Sequence, residues 1–142
     1  MTVIIIESEE DALASFPIMK VLRPHLEINQ CQEQLSRQRQ QGYRLAALVD
    51  DNEEISALAG FRFAEFMAWG KVLYLDDLIT DPAKLKNGYA GALLDWLEEE
   101  GKRNGCEAIH LDSGYSRNDA HRLYLKKGWE ITSHHFSKDL SP

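Results

Sequence analysis

The chain has 142 residues, of which 44% are hydrophobic and 27% charged, and its formal net charge is −7. This length and composition predict one globular domain over residues 1–142 and exclude a disordered, collagen-like or disulfide-rich chain. The acidic balance argues against a nucleic-acid partner, because such binding depends on clustered lysine and arginine. It either favours a cationic small substrate or only aids solubility.

The cysteines and the N-terminal segment restrict the setting of the protein. Cys31 and Cys106 have no zinc or redox spacing, so we expect reduced thiols, no metal and a cytoplasmic location. The apolar run 3–6 is short and is followed by Glu7 and further acidic residues. Neither a signal peptide nor a membrane span fits that pattern, and we expect no membrane partner.

The first third of the chain predicts one strand and two helical stretches. Residues 3–6 are β-branched and apolar, which favours a strand. Pro17 interrupts residues 11–21, so we expect at best a broken helix there. From Glu27 onwards apolar residues recur at helical spacing, which predicts an amphipathic helix that ends near Gly42.

Three strands follow. Residues 43–49 and 55–63 are apolar and flank Asp50-Asp51-Asn52-Glu53, whose residue types favour a tight turn, so we expect an antiparallel hairpin. Residues 71–80 read as a further strand that carries Asp76 and Asp77 at its middle. Strict alternation places these two aspartates on opposite faces of the sheet, so they would have different roles.

The last third alternates helices and strands. A glycine-rich turn opens an amphipathic helix that ends at Asn104-Gly105, and residues 108–112 read as a strand. Residues 118–127 predict a helix ended by Gly128, and residues 129–140 one or two closing strands. The element order gives an α/β sheet with an antiparallel front half and helical crossovers behind.

The glycine-rich turn has the properties of a phosphate-binding loop. A strand ending at Thr80 and a helix opening near Gly88 place unpaired N–H groups at the positive end of a helix dipole. Gly88 and Gly91 permit close backbone approach, or they only turn the chain. The dinucleotide and P-loop fingerprints are absent, so a nicotinamide or nucleoside triphosphate site has little support.

Two segments resemble the GNAT (GCN5-related) N-acetyltransferase family. Residues 85–90 are similar to its coenzyme A loop [RQ]-x-x-G-x-[GA], although Leu85 stands where Arg or Gln is usual. Residues 118–129 are similar to the block N-x-x-A-x-x-x-Y-x-x-x-G-[FW], with Ala120 one place early. The resemblance spans about half the chain, from Val72 to Phe136. It implies a twisted mixed β-sheet of about six to seven strands flanked by about four helices.

The resemblance also implies acetyl-CoA as cosubstrate. Lys84 or Lys86 would place a cation near its phosphates, or would be a solvated surface lysine, and the N–H of Ile79 would stabilise the carbonyl oxygen. The cofactor-binding residues implied are Leu78, Ile79, Thr80, Lys86, Asn87, Gly88, Tyr89, Ala90, Gly91, Ala92 and Asn118.

Two side chains are implied as catalytic. Tyr124 occupies the position of a general acid beside the cofactor sulfur, or it packs on its neighbours with its hydroxyl satisfied. Leu73-Tyr74-Leu75-Asp76-Asp77 is similar to the L-E-D stretch of diamine acetyltransferases, which makes Asp76 an amine anchor or base and leaves Asp77 a structural role. Further candidates for the base are His110, Asp112, His134 and His135. Glu65 and Trp69, in the loop before the fourth strand, would contact acceptor or be simply solvated.

The sequence therefore predicts direct transfer of an acetyl group from acetyl-CoA to a primary amine of a small molecule, such as a polyamine, or of a protein. Two alternatives stay open at this point. One is a non-catalytic acyl-CoA-binding or sensor module, and the other is a structural α/β domain that uses an open edge strand. A homodimer would also be compatible with this fold.

Overall fold

The computed structural model describes the whole chain, residues 1–142. The chain forms two compact units, residues 1–111 and 112–142. The prediction of a single domain over 1–142 stays a prediction. No helix combines the length and the apolar character that crossing a membrane requires.

The first unit is built on one five-stranded sheet in the order β1-β2-β3-β4-β5. Neighbours are antiparallel from β1 to β4, and β5 runs parallel to β4. The predicted mixed α/β sheet and its front hairpin are confirmed. In chain order the elements are β1 (Thr2–Ile5), α1 (Glu9–Leu22), α2 (Ile28–Gln40), β2 (Arg44–Val49), β3 (Ile55–Phe66), β4 (Gly70–Thr80), a 3-10 turn (Pro82–Lys84), α3 (Tyr89–Arg103) and β5 (Ala108–Leu111).

Helix α1 corrects the prediction of a broken helix. It is continuous from Glu9 to Leu22 although Pro17 lies inside it. Proline removes one backbone donor and its ring crowds the carbonyl four residues earlier. Ser8 caps the helix by accepting a bond from the Asp11 N–H, while Ile18 and Met19 are buried in the core. This packing outweighs the local effect of the proline.

Helices α1 and α3 cover opposite faces of the sheet. On β3, Leu58 belongs to a core cluster with Ile18 and Met19 of α1. Phe61, three residues further on, meets Trp96 of α3 edge-on at 5.9 Å between ring centroids. Residues three apart in a strand point to opposite faces, so each face of β3 has its own helical cover.

The second unit contains α4 (Asn118–Lys126), the fourth helix, which ends before the left-handed Gly128 as predicted. The prediction of closing strands over 129–140 is wrong, and so is the higher strand count, because the sheet has five strands. A strand needs neighbours for its N–H and C=O groups, and no ladder includes this segment. Its apolar residues Ile131 and Phe136 are exposed.

Candidate active site

Strand β4 loses one of its two neighbours halfway along. Its parallel ladder with β5 runs from Val72 to Leu75 and stops there. The antiparallel ladder with β3 continues to Thr80, which pairs with Ala57. The backbone of residues 77–80 therefore has a strand partner on one edge only. The predicted cofactor-binding residues Leu78, Ile79 and Thr80 all lie in this single-edged half.

A β-bulge marks the transition. Gly60 of β3 pairs with Asp77, whereas the next residue, Phe61, pairs with Leu75, so Asp76 has no partner of its own. An extra residue of this kind shifts the alternation of all residues beyond it. Asp76 and Asp77 consequently line the same cavity as Tyr74. The prediction that the two aspartates lie on opposite faces is wrong.

Each of the two aspartates is paired with an arginine. Asp76 accepts from Arg62, at 2.6 Å from Nη2 and 3.1 Å from Nε. Asp77 Oδ1 accepts from Arg23, at 2.8 Å from Nη2 and 3.0 Å from Nε. The Arg23 Nη2 also donates to the Asp76 carbonyl at 3.2 Å, which ties the bulge to the end of α1.

Tyr43 completes this cluster. Its hydroxyl donates to Asp77 Oδ2 at 2.7 Å, and its ring is buried. Burial and the adjacent Asp77 carboxylate raise the Tyr43 pKa well above its ordinary value, so the hydroxyl stays protonated and remains a donor. The Asp77 carboxylate thus accepts three hydrogen bonds from two side chains, while Asp76 is held by Arg62 and through its own carbonyl.

A cavity of about 480 Å³ opens over the cluster. This volume lies in the range of small-molecule sites. Its walls come from α1, α2, β2, β4 and the segment between the first two helices. They include apolar side chains such as Phe16, Met19 and Leu35, and the polar groups of Arg23, His25, Asp76 and Asp77.

The start of α3 has the geometry expected of a phosphate site. Gly88 precedes the helix with φ 76°, no side chain caps it, and no acidic residue lies in the first turn. The first helical bond comes from the Ala92 N–H, which leaves the N–H groups of Tyr89, Ala90 and Gly91 without helical acceptors. A Cβ on Gly88 would meet nothing within 4 Å. Open N–H groups at a helix start are suited to an anionic group such as a phosphate.

Lys84 was considered as a cation near the cofactor phosphates, but its ammonium group is bound by other residues of the protein. Its ammonium lies 2.9 Å from Asp50 Oδ2 and 3.1 Å from Ser56 Oγ, and it also bonds Glu54. Hydrogen bonds from Lys84 and Ser56 hold the Asp50 pKa below its usual range, and Glu54 and Asp50 raise the Lys84 pKa. This partly buried cluster ties the loop before α3 to the β2–β3 hairpin. Lys86 is exposed with φ 66° and stays the candidate cation.

Trp69, Glu65 and His110 lie away from the cavity. Trp69 stacks on His110 at 4.1 Å between ring centroids. It precedes Ile79 by ten residues, which corresponds to about 30 Å along an extended strand. Glu65 lies within β3 and not in a loop. None of the three lines the cavity.

In the second unit, Asn118 is the first residue of α4 and Tyr124 lies near its end. The Tyr124 ring packs against Trp129 at 5.6 Å between centroids. Burial raises the Tyr124 pKa, while Arg117 acts in the opposite direction. His135 Nδ1 lies 3.2 Å from Asp112 Oδ1, and His134 is exposed. The predicted roles of these residues stay predictions.

Sequence reasoning missed six members of the two clusters: Arg23, Tyr43 and Arg62 around the aspartates, and Asp50, Glu54 and Ser56 around Lys84. Arg62 was a usable signal, because a charged residue inside the apolar run of β3 needs an acidic partner. Asp50 and Tyr43 read as turn and strand residues, and nothing near Arg23 indicated a partner 54 positions away.

Comparisons with known proteins agree with this geometry. The family model of the Acetyltransferase (GNAT) family matches residues 9–129. A Bacillus subtilis (strain 168) protein named uncharacterized N-acetyltransferase YhdJ is 35% identical over 133 residues, covering 92% of this chain and 93% of its own. The aminoalkylphosphonate N-acetyltransferase of Salmonella typhimurium is 33% identical over 66 residues, covering 46% of this chain and 43% of its own.

The fold has close neighbours among solved structures. Aminoglycoside N-acetyltransferase AAC(6')-Iy, solved in complex with CoA, superimposes with a TM-score of 0.82. It is 14% identical, and the match covers 99% of this chain and 96% of that one. The extent of the family match and the relative from Bacillus subtilis decide the assignment: the chain belongs to the Acetyltransferase (GNAT) family and is an N-acetyltransferase.

Proposed function

We propose that this enzyme transfers an acetyl group from acetyl-CoA directly to the primary amine of a small molecule. The observation that carries the proposal is the sequence of features from residue 76 to residue 91. A strand half with one open edge leads into a helix whose first N–H groups have no acceptors. Open strand edge and open helix start are what an extended pantetheine arm and a pyrophosphate require.

A small acceptor is supported by the cavity beside β4. Its 480 Å³ suits a compact molecule better than a polypeptide segment. The Salmonella relative is named for small amine substrates, aminoalkylphosphonates. Asp76 and Asp77 place two carboxylates where such an amine would enter, next to the residues proposed to bind the cofactor.

The chemistry requires three things of the protein. The amine nitrogen forms a bond to the thioester carbonyl carbon, the carbon–sulfur bond breaks, and the departing thiolate takes up a proton. In our proposal the Leu78 N–H stabilises the carbonyl oxygen. The Ile79 N–H expected for this role faces β3, because the Asp81 N–H donates to the Ser56 carbonyl and N–H directions alternate along a strand. Asp76, oriented by Arg62, anchors the amine, whose proton leaves to this carboxylate or through water. Tyr124 supplies the proton to sulfur.

The proposal is tested by cofactor binding and turnover together. Acetyl-CoA should raise the midpoint of thermal unfolding, because it binds the native state. Thiol release from acetyl-CoA should depend on an added amine drawn from a panel of small amines. A midpoint shift without thiol release on any amine would favour a non-catalytic acyl-CoA-binding module. No shift at saturating cofactor would reject both functions.

The acid role of Tyr124 has its own test. Y124F should lower kcat by about 100- to 10,000-fold, as loss of a general acid does, while the affinity for acetyl-CoA is retained. Y115F is the matched control, because Tyr115 is 95% exposed. Unchanged turnover of Y124F across the pH range would remove Tyr124 from the mechanism.

A further inference from the structure

Arg23 projects into the acceptor cavity with one donor group unused. Its Nε and Nη2 atoms are committed to Asp77 Oδ1 and to the Asp76 carbonyl. The remaining nitrogen, Nη1, makes no hydrogen bond with the protein, and the side chain is 41% exposed. The guanidinium is therefore fixed in orientation and still has N–H groups to offer.

The charges around the cavity balance in pairs. Asp76 is matched by Arg62, and Asp77 is matched by Arg23 with a further bond from Tyr43. The cluster of these side chains carries no net negative charge. A dication such as a polyamine could place its first ammonium group beside the carboxylates. Its second ammonium group would then lie near the positively charged guanidinium of Arg23 and would be repelled.

We propose that the acceptor carries an anionic group, such as a carboxylate or phosphonate, close to its reactive amine, and that Arg23 seats this group. The inference rests on the proposed function and narrows its substrate class. The anionic group accepts from Arg23 Nη1 while the amine approaches Asp76. A guanidinium suits such oxyanions because its planar N–H groups match their geometry. Arg23 is thereby a specificity-determining residue.

The experiment compares kcat/KM for β-alanine and for β-alaninamide, which differ in the negative charge and little in shape, with putrescine as the dication. The wild type should prefer β-alanine over β-alaninamide by about 10- to 100-fold, the value of one charge-assisted contact. In R23Q this preference should fall towards one, and R23K should restore part of it. R37Q is the control, since Arg37 is exposed on α2 and outside the cavity. It should keep the wild-type preference.

The outcomes separate this inference from the proposed function. Equal or better turnover of β-alaninamide or putrescine by the wild type would overturn the role of Arg23 and leave acetyl transfer intact. No amine-dependent thiol release with any of these amines or with the wider panel would remove the proposed function itself, and the inference with it.

A second measurement covers the case in which R23Q folds poorly. Methylphosphonate has the anion and lacks the amine, so it should inhibit the wild type competitively against whichever amine it acetylates. Lack of competition would overturn the proposal. Raised salt should weaken inhibition by methylphosphonate only slightly, because the contact with Arg23 is fixed and partly buried.

Discussion

The two halves of β4 show how one strand serves both stability and function. Residues 72–75 are paired on both edges, and Val72 and Leu73 are fully buried. Residues 76–80 begin at the unpaired bulge residue Asp76, are otherwise paired on one edge, and are only partly buried. Backbone groups left open in this way are available to a substrate. The bulge, which ends regular pairing, is therefore the boundary between scaffold and site.

The largest effect on stability is expected in the scaffold half. L73A should lower the free energy of unfolding by about 2 to 5 kcal/mol, because it leaves a cavity in a fully buried position. L85A is the matched control, since Leu85 is 59% exposed, and should change stability by no more than about 0.5 kcal/mol. Urea unfolding measures both. Equal losses in the two variants would contradict the scaffold role given to the buried Leu73.

The next effect concerns the bulge. A Cβ on Gly60 would lie 1.8 Å from the Tyr43 hydroxyl oxygen and 2.7 Å from Asp77 Oδ2. G60A should therefore cost about 1 to 3 kcal/mol of stability and lower kcat/KM for the amine by displacing Asp77.

G101A is the control for that substitution. Gly101 lies within α3, and its added Cβ would meet nothing closer than 3.7 Å. The gain in helix propensity should stabilise the protein by about 0.5 to 1 kcal/mol. A G60A protein with wild-type stability and amine kinetics would show that the close packing at the bulge is dispensable.

A smaller effect separates the two aspartates. Y43F removes the hydroxyl that donates to Asp77 Oδ2 and leaves the Arg62–Asp76 pair in place. The loss of this buried bond should cost about 1 to 3 kcal/mol. If Asp76 anchors the amine, KM for the amine should change less in Y43F than in D76N. The reverse order would transfer that role to Asp77.

The smallest effect is a pH dependence outside β4. The pKa of Asp50 is lowered in the folded protein by Lys84 and Ser56. Its contribution to stability is complete above the ordinary aspartate pKa of about 3.9 and is lost as the pH falls below it. D50N should therefore lose stability near neutral pH, and its difference from the wild type should shrink in acid.

Urea unfolding across the acid range measures this dependence, with D51N as control because the Asp51 side chain is 91% exposed. A difference between D50N and the wild type that stays constant with pH would contradict the role given to Lys84.

The sequence predicted those features that depend on neighbouring residues. Apolar runs predicted the strands from β2 to β5, and Gly88 before an amphipathic stretch predicted the start of α3. Alternation failed at Asp76 and Asp77, because a bulge depends on how two strands pair. The prediction of a broken helix at Pro17 was wrong because the burial of Ile18 and Met19 decides whether α1 continues.

The partners of the aspartates were beyond sequence reasoning for a similar reason. Arg62 and Arg23 lie 14 and 54 positions from the carboxylates they bind. Local patterns carry no record of such contacts, which depend on the folded sheet and on the end of α1.

The most direct test of the division within β4 is amide hydrogen exchange with and without acetyl-CoA. Bound acetyl-CoA should slow exchange at Leu78, at Thr80 and in residues 87–91, where backbone N–H groups are open, and should leave residues 72–75 unchanged because both edges are already paired. Slowing that spares Leu78, Thr80 and residues 87–91, or that appears only elsewhere, would contradict the site described for this enzyme.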